Sequence, residues 1–143
     1  MTEDRQATTT VEAKGPGRWL VRTSRSAEGE AAEGTVLLRS DRPPGSPPAH
    51  LRLAGARAWL ALGQRFQSRS RWQEAIASAR AGLAEIGSDY AGPDVDDETD
   101  LKLLAAEDRL AQGHASDAAA VMLRVLGDRL SLYASLHHQD VVE

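Results

Sequence analysis

AWLALGQRFQSRSRWQEAIASARAGLAEI, residues 58–86, decides the fold. Its second half sets Trp72, Ala75, Ile76, Ala79, Leu83 and Ile86 at the i, i+3, i+4, i+7 rhythm of one buried helical face. Its first half continues a run from Leu51 to Gln67 made largely of Ala, Leu and Arg, all good helix formers. Gly87-Ser88 stops the second helix.

Downstream, Asp89 to Asp97 reads as a polar loop containing Gly92-Pro93. Thr99 or Asp100 is expected to cap the next helix, because a short side-chain oxygen accepts the free amides of a first turn. Leu101, Leu104 and Ala105 are expected to be its apolar side, and Gly113 its end. Ser116 or Asp117 opens another helix, with Ala118, Val121, Met122, Val125 and Leu126 on one face. After Gly127, Asp128 is expected to cap a last helix carrying Leu130, Tyr133 and Leu136. The count is about five helices, as two helix–turn–helix pairs and a closing helix, over a helical domain at 50–138.

Upstream, residues 42–49 hold four of the six prolines. Proline lacks the amide donor and fixes φ, so this is a linker through which neither helix nor central strand runs. Residues 18–41 form an arm. Arg18–Thr23 and Thr35–Arg39 are strand-like, and Ser24–Glu33 between them is long for a hairpin loop. A flexible arm and a short β-hairpin packed on the helices are both open. Residues 1–17, polar and Thr-rich, read as a disordered tail, and 139–143 as a second tail.

Composition agrees with a mainly α class. Aromatics are only 4%, so Ala and Leu must build the core, which favours close-packed helices over a sheet. Without cysteine there are no disulfides or thiolate metal sites. No run of about 18 apolar residues exists to span a membrane. MTEDRQATTT has no apolar core for a secretory signal, so a cytoplasmic location is expected. The net charge of −4 argues against general nucleic-acid binding, which relies on neutralising phosphates. Charge is unevenly spread: residues 51–90 carry +3 and residues 91–143 carry −7. Opposite halves could complement each other across packed helices or support head-to-tail self-association.

Trp59-x2-Leu62-Gly63-x2-Phe66, followed by Ala75, resembles the tetratricopeptide repeat. These residues stand where that family has its Trp, Leu-Gly, Tyr and the small residue of the second helix. Gly63 and Ala75 would let two backbones approach while Trp59 and Phe66 fill the space beside them. Ala79 replaces the usual aromatic, and Gly87 stands where Pro is common. A shift of 43 maps Ala75 to Ala118, Gly63 to Ala106, Leu60 to Leu103 and Leu83 to Leu126. Trp59 and Phe66 fall on Lys102 and Arg109. The likeness spans about residues 55–138 and is degenerate in its second half. Another small helical bundle would also want small residues at helix crossings.

The resemblance implies a concave groove lined by the first helix of each pair. By register its residues are Arg57, Leu60, Gln64 and Gln67, then Asp100, Leu103, Glu107 and Leu110. Relatives that grip a C-terminal carboxylate use Lys and Asn where this chain has Leu60 and Gln64, so a helix or extended segment suits the groove better. Leu60, Leu103 and Leu110 could equally be core.

No catalytic constellation emerges, and no cofactor, metal or small-molecule substrate is expected. Asp94–Asp100 fails as a calcium loop, with Thr99 where glycine is required and Ala105 where the bidentate Glu belongs. Acidic residues ahead of a helix N-terminus fit the stretch better. The expected role is a non-catalytic module that binds a protein partner through the groove, or a subunit of a self-associated or mixed assembly.

Overall fold

The computed structural model describes residues 9–39, 48–86, 93–136 and 141–142. Three antiparallel strands, β1 (Thr9–Gly15), β2 (Arg18–Ala27) and β3 (Glu30–Arg39), precede four helices. The helices are α1 (Pro48–Ser68), α2 (Trp72–Ile86), α3 (Pro93–Ala111) and α4 (Ala115–Leu136). A two-residue strand, β4 (Val141–Val142), pairs with Leu37 and Leu38 of β3.

The arm is a hairpin, and a longer one than its sequence suggests. Ser24–Ala27 and Glu30–Glu33, expected as loop, pair in register across it. The chain turns in two residues, Glu28 (φ 52°) and Gly29 (φ 81°). Two consecutive positive φ values make the turn whose twist matches its flanking strands. β2 and β3 alternate: Val21, Thr23, Ala32, Gly34 and Val36 are buried. They face α1, which packs across both strands. At Gly34 the approach is closest, for a Cβ there would lie 1.8 Å from the Ala54 carbonyl oxygen. Residues 9–15, expected in a disordered tail, extend the sheet as β1.

α1 packs on α2, with Leu62, Phe66, Ala75, Ile76 and Ala79 fully buried between them and their neighbours. α4 packs against both helices and α3 packs on α4. Leu123 fills the notch at Gly63, where a Cβ would meet its Cδ2 at 2.4 Å. Leu126 does the same at Gly82, at 2.6 Å. Gly63 was expected to admit the α2 backbone, but a Cβ there would stand an ordinary 3.4 Å from the Ala75 carbonyl. Its missing side chain makes room for α4.

The two helix–turn–helix connections are one turn repeated. Arg71 N donates to Phe66 O and Ser70 N to Gln67 O. His114 N donates to Arg109 O and Gly113 N to Leu110 O. Both are the paired bonds that satisfy the last carbonyls of a helix through a left-handed residue. That residue is Ser70 (φ 59°) in one and Gly113 (φ 86°) in the other. Each turn is followed by the same bond, Ala75 N to Arg71 O and Ala118 N to His114 O. Every partner is displaced by the 43 residues of the internal shift.

Other boundaries differ from expectation. α1 starts at Pro48, inside the expected linker, and α3 starts at Pro93, inside the expected loop. Proline suits the first helical position, where its missing N–H has no partner to lose. Residues 94–98 therefore lie within α3 rather than in a loop ahead of it. Thr99 and Asp100 are therefore inside a helix. α4 runs unbroken through Gly127, so four helices stand among the described residues and Asp128 caps none. One buried side, Ala118, Ala119, Met122, Leu123, Val125, Leu126 and Leu130, continues across the glycine. That burial outweighs the cost of about 1 kcal/mol for a helical glycine. Expectations for residues 1–8, 40–47, 87–92 and 137–140 lie outside the described residues.

Candidate functional site

The sheet is tied to the helices by one polar cluster. Arg25 Nε and Nη2 donate to the two carboxylate oxygens of Glu85, at 3.0 and 2.8 Å. Its Nη1 donates to Ser24 O at 2.8 Å, and Trp59 Nε1 donates to Glu85 Oε1 at 3.2 Å. The fork reaches from β2 to α2 past Gly55 of α1, where a Cβ would lie 2.5 Å from Arg25 Nη2. Nothing in the sequence announces a pair separated by 60 residues. Beside it, Trp59, Ala77 and Ala81 line an apolar cleft of about 360 Å³ with Glu28, Gln73 and Glu74. Arg71 donates to Glu74 at 2.9 Å and lies over the Phe66 ring, 5.0 Å from its centroid. That bond, together with one from the residue's own backbone amide, holds the Glu74 carboxyl below its usual range.

The expected groove residues divide among several surroundings. Arg57 donates to the Thr35 carbonyl of β3 at 2.9 Å. With Leu60 it lines a cleft of about 590 Å³ between β3, α1 and α4, whose other walls include Glu33, Gly127 and Leu130. Gln64 is exposed and Gln67 half-buried. On α3, Asp100 is exposed and Glu107 pairs with Arg80 of α2. Leu103 and Leu110 pack against the main core cluster, as does Leu60. α4 contacts both α1 and α3, while α1 and α3 share no comparable contact among the described residues. The α1 and α3 members therefore do not line one continuous face there.

α3 also turns the other way from expectation. Leu101, Leu104 and Ala105, expected inward, are exposed, the leucines at 68% and 65%. Leu103, Ala106 and Leu110 point inward instead. The helix has two apolar sides, and the sequence pattern alone does not say which meets α4.

The outer face of the sheet is a further surface. Since Val21 and Thr23 face α1, alternation puts Arg18, Leu20 and Arg22 on the opposite side. Leu20 pairs with Leu37 across β3. Lys14, Arg18, Leu20, Thr35, Leu37 and Arg57 line a shallow cleft of about 350 Å³. β3's outer edge is covered by β4 at one end, and further along Arg57 and Arg65 donate to its Thr35 and Ala31 carbonyls. Such contacts occupy groups that would otherwise pair with another strand.

Among the described residues, no three His, Asp or Glu side chains group as a metal site would require. No helix among the described residues is long and apolar enough to cross a membrane. Comparison with protein families, curated proteins and solved structures gives no match.

Proposed function

We propose that the chain is a non-catalytic protein-docking module of the cytoplasm, built on a tetratricopeptide-like helix pair. The observation that carries the docking role is α3's unused apolar side. Leu101 and Leu104 stand one turn apart in solvent, on a helix whose core side is already filled by Leu103, Ala106 and Leu110. A helix with a second apolar stripe has more hydrophobic surface than its own core consumes, and adjacent exposed leucines suit a partner's surface. The tetratricopeptide-like reading is supported by the buried Leu62, Phe66 and Ala75 and by the turn repeated at the internal shift. The groove on the family's concave side is not the docking surface in this proposal, because its α1 and α3 members look to different surroundings.

The test is site-specific photo-cross-linking in the source cell, with the reactive group replacing Leu101, Leu104 or the exposed Ala84 of α2. Protein adducts at 101 and 104 but not at 84 are expected. Equal adduct yields at all three positions, or none at 101 and 104, would remove the basis for docking through α3.

A further inference from the structure

α3 and the outer sheet face are chemical opposites. On α3, the positions three and four residues from Leu101 or Leu104, apart from those two, are Asp97, Glu98, Asp100, Ala105, Glu107 and Asp108. Five of these six positions are acidic; Lys102 beside Leu101 and Arg80, which pairs with Glu107, are cations of the same region, so acids are in excess. On the sheet, the half-buried Leu20 and Leu37 sit among Lys14, Arg18 and Arg57, with Arg22 on the next pair of the ladder. Among the described residues, two carboxylates share that face. Glu12 pairs with Lys14 at 3.3 Å and Glu33 approaches Arg22 at 3.8 Å, leaving cations in excess. One surface is a leucine pair on a stretch with acids in excess, the other a leucine pair on a face with bases in excess. Both belong to the same chain.

We infer that α3 of one copy docks on the outer sheet face of a second copy, head to tail. This rests on the docking proposal and names the occupant. The contact joins two different surfaces, so a docked pair still has one free sheet face and one free α3, and growth continues until a ring closes or a chain extends. The charged rims lie in solvent, so association weakens as salt screens them.

The test uses two variants of the full chain and light scattering after size exclusion. Lys14→Glu/Arg18→Glu reverses the basic rim and leaves α3 intact. Leu101→Gln/Leu104→Gln removes the apolar centre of α3 and leaves the sheet intact. Wild type is expected to gain mass with concentration beyond a dimer and to lose it in high salt. Each variant alone is expected to be a monomer, and their equimolar mixture a 1:1 dimer that grows no further. Recovery of the dimer shows that both variants are folded, and Arg18→Gln, which removes one charge, is expected to weaken wild-type association at least several-fold. Monomeric wild type at every concentration overturns the inference, and so does a mixture that stays monomeric while both variants melt like wild type. Monomeric wild type whose Leu101 still cross-links to another protein overturns it while the docking role stands.

Discussion

Arg25 grips both carboxylate oxygens of Glu85 through the gap that Gly55 leaves in α1. The pair is largely shielded, at 16% and 22% exposure, and Glu85 also accepts from Trp59. Removing one partner strands the other among packed helices. Glu85→Ala is expected to cost about 2–3 kcal/mol, as for charge-assisted hydrogen bonds. Arg25→Ala should cost a similar amount, and the double variant clearly less than the sum. Chemical denaturation of the four proteins measures this; strict additivity would mean that the two side chains do not hold sheet and helices together.

Thr23 is buried against α1, and its Oγ1 has no hydrogen-bond partner. Thr23→Val keeps the shape and removes a desolvated hydroxyl. It is expected to raise stability by about 1 kcal/mol, read from the denaturation midpoint. A loss of stability would show that the hydroxyl is satisfied.

Ser70 occupies the left-handed position that Gly113 fills in the equivalent turn. Ser70→Gly relieves the Cβ strain and should stabilise by about 0.5–1 kcal/mol, whereas Gly113→Ala should destabilise by about 1–2 kcal/mol. Opposite signs at two positions 43 residues apart are the signature of one repeated turn. Thermal melts of both variants check it.

Glu74 gives a pH dependence. Its carboxyl titrates lower in the fold than in the unfolded chain, chiefly because Arg71 donates to it. The stabilisation is therefore fully present above the unfolded value of 4.5 and is lost as pH falls through the lower folded value. Glu74→Gln should flatten the acid limb of the stability curve and leave its slope near neutral pH unchanged. An identical acid limb in both proteins would show that Arg71 does not hold this carboxylate.

The α2 helix was legible because residues 72–86 carry one unambiguous stripe, and Gly113 marked the α3–α4 turn by its own chemistry. Ser70 hid the matching turn, since serine does not signal a left-handed residue. Glu28 hid the hairpin likewise, for Asn or Asp is the usual residue before that glycine. The small residues around it, Ser24 to Glu33, read as loop, yet they pair as strand with Ala32 buried, because strand preference reflects packing more than backbone. Gly127 marked a helix end that packing on both sides overrode. The inward side of α3 is hidden for a different reason. Its leucines at 101, 103, 104 and 110 describe two sides, and only the position of α4 chooses between them.

α3 has one apolar side in the core and one in solvent. The direct measurement is thermal unfolding at high dilution of Leu101→Gln/Leu104→Gln beside Leu103→Gln. The double variant is expected to melt within a degree or two of wild type, since exposed substitutions usually change stability by less than about 0.5 kcal/mol. Leu103→Gln should melt clearly lower, having placed an amide against the core. A large loss in the double variant, with Leu103→Gln unaffected, would contradict the account and return Leu101 and Leu104 to the interior.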